Sequence, residues 1–112
     1  MEIEHYTNSA GNTPTLKYLK NLNEALHAKK IIETIERLNK FELQRFLDST
    51  DIEKIKGIKQ TIWELKVSCK NNIIYRVLFE ITNNKIIILN IFNKKQQKIR
   101  RAEITKAISR LK

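Results

Sequence analysis

Three apolar, β-branched segments, at 61–69, 73–82 and 85–92, are separated only by Lys70-Asn71-Asn72 and Asn83-Asn84, and they leave this chain few ways to fold. Alternating apolar residues joined by short, turn-prone connectors are the signature of an antiparallel meander. On the first segment Trp63, Leu65, Val67 and Cys69 alternate with Ile62, Glu64, Lys66 and Ser68. On the second, Tyr75, Val77, Phe79 and Ile81 alternate with Ile74, Arg76, Leu78 and Glu80. Each strand therefore has one apolar face and one partly polar face.

Register then becomes predictable, because a slip of one residue exchanges the two faces. A three-residue loop at Lys70-Asn71-Asn72 sets Trp63 opposite Phe79, Leu65 opposite Val77, Val67 opposite Tyr75 and Lys66 opposite Arg76. A two-residue loop would oppose Lys66 to Val77 and turn charge toward the core, so the first register is expected. It sets two cations directly across from each other, an arrangement that costs up to about 1 kcal/mol. A bound phosphate would reverse the sign of that interaction, and Glu64 or Glu80 would partly neutralise the pair when no phosphate is present.

Upstream of the meander, residues 3–6 read as a short strand and Asn8-Ser9-Ala10-Gly11-Asn12 as a turn. Thr13 is a suitable N-cap, and Pro14 suits the first helical position, where its missing N–H costs nothing. Leu16, Leu19, Leu22 and Leu26 recur at near-helical spacing and are expected to face a core. A second helix is expected over 28–47, with Ile31, Ile35 and Leu38 on one stripe, and the two helices form a hairpin. The pattern weakens over 48–60, where Gly57 marks a turn. Ile104, Ala107, Ile108 and Leu111 place a last helix in the segment 94–112. The expectation is one α+β domain over 1–112: two N-terminal helices packed on a curved, mainly antiparallel sheet of about four strands, with a basic C-terminal helix.

A chain of 112 residues with 41% hydrophobic and 30% charged residues has the composition of a soluble globular domain. Its longest apolar stretch, 86–89, is far short of the roughly 20 residues a membrane span needs. Acidic Glu2 and Glu4 do not read as a secretory signal. Cys69 is alone and has no partner for a disulfide or a metal site. A reducing, cytoplasmic setting is expected, with no membrane partner. Twenty-two Lys and Arg against twelve Asp and Glu give a net charge of +10, which draws the chain toward nucleic acid or an acidic protein.

Immediately after the third strand, Lys94, Lys95, Lys98, Arg100 and Arg101 follow one another without an acid. The residues His5 and His27 stand far from that cluster in sequence. There is no glycine-rich phosphate loop, no zinc-ligand spacing and no nucleophilic triad, so neither a metal nor another cofactor is expected. Catalysis would rest on Lys, Arg, Tyr or carboxylates. Tyr75 and Phe92 are expected in the core.

The order of parts resembles the RelE superfamily, in particular its phage-derived HigB-like branch. The resemblance runs from Ile3-Glu4-His5-Tyr6 through Thr13-Pro14-Thr15-Leu16-Lys17-Tyr18-Leu19 and Lys56-Gly57. Its most specific portions are Ile62-Trp63-Glu64-Leu65-Lys66, Tyr75-Arg76-Val77-Leu78 and Ile88-Leu89-Asn90-Ile91-Phe92-Asn93-Lys94-Lys95, and it closes with Glu103-Ile104 and Ala107. That family's usual pattern has arginine at Lys66, often histidine at Asn90, threonine at Gln96 and proline at Arg100. Lysine keeps the charge at position 66 but lacks the planar, bidentate grip of a guanidinium.

The resemblance implies the toxin of a type II toxin–antitoxin system, cleaving messenger RNA, commonly on the ribosome, by attack of a 2′-hydroxyl on the adjacent phosphate. It implies Lys66 and Arg76 as charge stabilisers, Lys94 or Lys95 as proton donor or further phosphate clamp, and Lys98, Arg100 and Arg101 as residues that track the RNA backbone. The implied partners are messenger RNA, the ribosome and a HigA-like antitoxin. Two other readings share the features: a ParE-like toxin of the same fold directed at DNA gyrase, and a non-catalytic basic module that binds RNA or protein.

Overall fold

The computed structural model describes residues 2–40, 50–93 and 97–111, apart from the side chains of residues 40 and 97–99. The meander takes the expected form: β3 (Trp63–Cys69), β4 (Ile73–Thr82) and β5 (Lys85–Asn93) are antiparallel neighbours. Register between the first two is the one the alternation required, with Trp63 opposite Phe79, Leu65 opposite Val77 and Lys66 opposite Arg76. Asparagine explains both turns. Among the described residues, the non-glycine positions with positive φ are Asn71, Asn72, Asn83 and Asn84, at 63°, 58°, 50° and 61°. Asparagine tolerates the left-handed region because its short side chain can hydrogen-bond locally. At Asn83-Asn84, a two-residue connection between Thr82 and Lys85, two such residues in succession suit the type I′ turn that matches strand twist.

The sheet has five strands rather than about four, in the order β1-β5-β4-β3-β2. The strand β1 (Glu2–His5) lies parallel to β5, and the added β2 (Ile52–Lys54) lies antiparallel to β3. This second strand falls where the sequence pattern was weak, and at three residues it is too short to show a period.

Helix α1 (Pro14–Lys20) begins with proline in its first turn, as expected, but Thr13 makes no side-chain cap; its hydroxyl lies 3.2 Å from that of Thr7. Helix α2 (Ala25–Lys40) begins three residues before the expected 28, and its expected extension to 47 falls outside the described residues. Both helices cover one face of the sheet. There Leu19, Ile31, Ile35 and Leu38 pack with Ile52, Leu65, Val67, Tyr75, Val77 and Phe79. Leu16 and Leu26 were expected in this core and are not, being 49% and 70% exposed. The α1 contact is narrower than a four-leucine stripe would need, and Leu26 lies at the start of α2.

The other face is covered by α3 (Gln97–Ser109), whose Ile104 and Ala107 pack with Ile62, Leu78, Ile87, Leu89 and Phe92. Strand β5 is therefore an interior strand covered on both faces, which is why its sequence reads as a near-continuous apolar run instead of an alternating one. A bulge interrupts its pairing with β4: Leu78 faces Asn90, while Phe79 faces Ile88. The extra residue, Leu89, leaves its carbonyl to accept a hydrogen bond from Arg110 Nη1 at 2.8 Å. Asn90 donates to the Glu103 carbonyl at 3.0 Å and to its carboxylate at 2.5 Å. The bulge thus ties α3 to the sheet.

Candidate functional site

Cross-strand pairing brings Lys66 of β3 and Arg76 of β4 together on the α3 side of the sheet. The two cations do not face each other undressed. Glu53 of β2 lies 3.4 Å from Lys66 Nζ, in a partly exposed pair. Arg76 Nη1 donates to Glu64 Oε1 at 3.0 Å. The second oxygen of Glu64 faces Arg100 Nε of α3 at 3.5 Å. Sheet and helix therefore meet at one carboxylate whose side chain is 1% exposed. The Arg76 and Arg100 side chains are 12% and 23% exposed, which leaves both guanidiniums at the rim and not in the core.

The exposed Lys66–Glu53 pair contributes about 0–1 kcal/mol. The buried bridge is different in kind, because removing one member strands a charge in low dielectric and costs roughly 3–5 kcal/mol. Even so the bridge is incompletely satisfied: Glu64 Oε2 and Arg76 Nε are buried without a hydrogen-bond partner.

Beside this bridge, Glu53, Lys54, Lys56 and Arg100 line an open cleft of about 470 Å³. It lies between the β2 edge of the sheet and α3. The first turns of α3 carry Lys98, Arg100 and Arg101 and no acid. Cations there oppose the positive end of the helix dipole, whereas an anion in the cleft would be favoured by dipole and cations together. Like-charged residues thus recur on this side where their own elements disfavour them, across β3 and β4 and at the start of α3. An anionic ligand relieves both conflicts.

Of the site residues expected from sequence, Arg76 and Arg100 share Glu64, while Lys66 lies across the strand pair from Arg76 and pairs separately with Glu53. Arg101 is exposed on the same helix. Lys94 and Lys95 lie outside the described residues, as does the side chain of Lys98. Glu53, Lys54 and Lys56 were not recognised as lining residues. Their only sequence signal was the pair of apolar neighbours Ile52 and Ile55, too brief to read as a strand.

On the opposite face of the sheet, burial shifts the acidity of His5, Tyr18 and Tyr75. His5 Nδ1 is 2.6 Å from the Thr15 hydroxyl beside α1, and burial lowers its pKa. His27 is buried in α2, with Nδ1 2.9 Å from the Tyr75 hydroxyl. Burial pushes the Tyr75 phenol upward, and that of Tyr18 to about 12. Tyr75 is therefore a core residue, as its position in the alternation required, and so is Phe92. Among the described residues no cluster of three or more His, Cys, Asp or Glu side chains is placed to hold a metal ion, and no helix is long and apolar enough to cross a membrane.

No curated protein matches this sequence. In three dimensions the chain is similar to the toxin RelE of E. coli, in the free state of a double arginine-to-alanine mutant. The TM-score is 0.57 at 8% identity, over 94% of this chain and 95% of that one. Identity that low establishes the shared fold alone. Residues 17–112 match the family model described as phage-derived protein Gp49-like (DUF891). With most of its length accounted for by that model, the chain belongs to the phage-derived Gp49-like family, and its fold is the one seen in RelE.

Proposed function

We propose that this protein is the toxin of a type II toxin–antitoxin system and a metal-independent endoribonuclease that cuts messenger RNA on the ribosome, as HigB-like toxins do. The observation that carries the reading is the gathering of Lys66, Arg76 and Arg100, from two strands and a helix, at the edge of an open basic cleft. The 2′-hydroxyl gives up its proton to solvent as its oxygen forms a bond to phosphorus, the bond to the 5′-oxygen breaks and that oxygen takes up a proton, and the products carry a 2′,3′-cyclic phosphate and a 5′-hydroxyl. Positioned cations stabilise the charge that builds on the phosphorane and hold the nucleotide for in-line attack. Lys66 and Arg76 serve that role. Lys94 or Lys95 protonates the leaving oxygen or adds a phosphate clamp, while Lys98, Arg100 and Arg101 follow the RNA backbone. A HigA-like antitoxin with an acidic surface covers this face in the cytoplasm, since +10 favours such a partner.

The test is single-turnover cleavage of a messenger on saturating ribosomes. The intact chain cleaves, and Arg76→Ala lowers the saturated rate roughly 100-fold or more, the effect of deleting one well-placed donor. If Arg76→Ala cuts as fast as the intact chain, the chemistry lies elsewhere. If the intact chain leaves RNA whole but blocks supercoiling by DNA gyrase, the ribonuclease reading is replaced by a gyrase-directed one.

A further inference from the structure

Glu64 is the least expected residue of this face. Its neighbours on this face, Ile62 and Leu78, are fully buried and apolar, and the carboxylate is almost as buried as they are. An ionised carboxylate in such surroundings carries a large desolvation penalty unless it is paired. An apolar side chain of similar size would hold α3 against the sheet without that penalty. Packing alone does not account for a charge here.

What the charge does is visible in its partners. One oxygen receives Arg76 Nη1 at 3.0 Å and the other faces Arg100 Nε at 3.5 Å. Two guanidiniums from different elements, which would otherwise repel, are thereby drawn to one point. A guanidinium has five N–H donors in a fixed fork. Each arginine commits one nitrogen to Glu64; Arg76 Nε is buried, so the donors a ligand can reach on Arg76 are its terminal nitrogens. Donors remain on both groups, and Arg100 lines the cleft.

We infer that Glu64 is a positioning residue: it fixes Arg76 and Arg100 as a pair whose remaining donors grip one RNA phosphate, with Glu64 itself never touching the substrate. Arg100 then belongs to the charge-stabilising group and not only to the backbone-tracking one. This inference rests on the ribonuclease reading given above.

A purely structural bridge and a positioning carboxylate leave different marks. The experiment uses the full chain, an unstructured messenger and purified ribosomes, with single-turnover cleavage at saturation, an independent RNA-binding titration and a thermal melt. Glu64→Gln keeps the shape and removes the charge. It is expected to lower the saturated rate on the order of 100-fold while RNA binding stays the same or tightens, because the net charge rises. Glu64→Asp, which keeps the charge on a shorter stem, recovers part of that rate. Arg100→Gln lowers the saturated rate too, and adding it to Glu64→Gln costs little more, since coupled residues are not additive.

If Glu64→Gln lowers the melting temperature but cleaves at the intact rate well below it, the bridge is structural and the inference is overturned. Should Glu64→Gln fail to fold, Arg100→Gln decides: a loss confined to binding overturns the inference, and a loss of saturated rate sustains it. An intact chain that does not cleave overturns the ribonuclease reading and this inference together, whereas cleavage by the intact chain with an unaffected Glu64→Gln overturns this inference alone.

Discussion

At the scale of single residues, the two histidines show how far chemical type underdetermines role. Both might have served as proton shuttles, and both are instead engaged on the side of the sheet away from α3, His5 with Thr15 and His27 with Tyr75. For His5 this has a measurable consequence. Burial lowers its pKa below the ordinary 6.5, so the unfolded chain binds the proton more readily than the folded one. The stability that neutral His5 confers is complete above about pH 6.5. It is lost as the pH falls through 6.5 toward the lower folded value. Urea midpoints at pH 7.5 and 5.5 should fall for the intact chain and fall less for His5→Gln. Parallel losses in the two proteins would show that another group titrates. The pairing of Lys66 with Arg76 was readable from alternation alone, because a charge cannot change faces without burying itself. The bridging roles of Glu53, Glu64 and Arg100 were not, since they depend on how β2 and α3 dock and no local period encodes docking.

Among the elements, the turns are the clearest case of sequence dictating geometry. Asparagine pairs at 71–72 and 83–84 could reflect compositional bias, yet they are the non-glycine residues with positive φ among those described. A left-handed backbone costs an ordinary L-residue about 1–2 kcal/mol, and a β-branched one at least as much. Asn83→Val should therefore destabilise the protein by about 1–2 kcal/mol in chemical denaturation, whereas Asn84→Gly should be tolerated. A loss below about 0.5 kcal/mol for Asn83→Val, the range of ordinary surface substitutions, would mean the hairpin does not need this turn. The same elements mark where local reading stops. Strands β3 to β5 were specified by alternation, turn chemistry and burial acting together. Strand β2 has three residues and takes its conformation from pairing with β3. Leu16 and Leu26 satisfy a helical period but lie beyond the area that α1 and α2 press onto the sheet. Asn90 owes its direction to a bulge one residue away, a feature that a strict period of two does not contain.

For the whole molecule the governing quantity is the net charge of +10. Charge that attracts RNA and charge that stabilises a transition state are both positive, but they act at different stages and screen differently. Attraction is shared by many residues and works through released counterions. Each phosphate contact on a single strand therefore contributes about 0.7 to the slope of log affinity against log salt. Arg101 is exposed on α3, so it belongs to the attracting set. Arg101→Ala should weaken RNA binding modestly, reduce the salt slope by about 0.7 if the residue contacts one phosphate, and leave the saturated cleavage rate near that of the intact chain. Arg76→Ala should do the reverse, since its guanidinium is bound into the carboxylate bridge at the rim and contributes little to long-range attraction that the other cations do not already supply. The comparison requires binding titrations at several salt concentrations beside single-turnover rates at saturation. If Arg101→Ala abolishes the saturated rate while Arg76→Ala only flattens the salt slope, the reacting phosphate lies along the start of α3 and not over the strand pair, and the division of labour between sheet and helix is inverted.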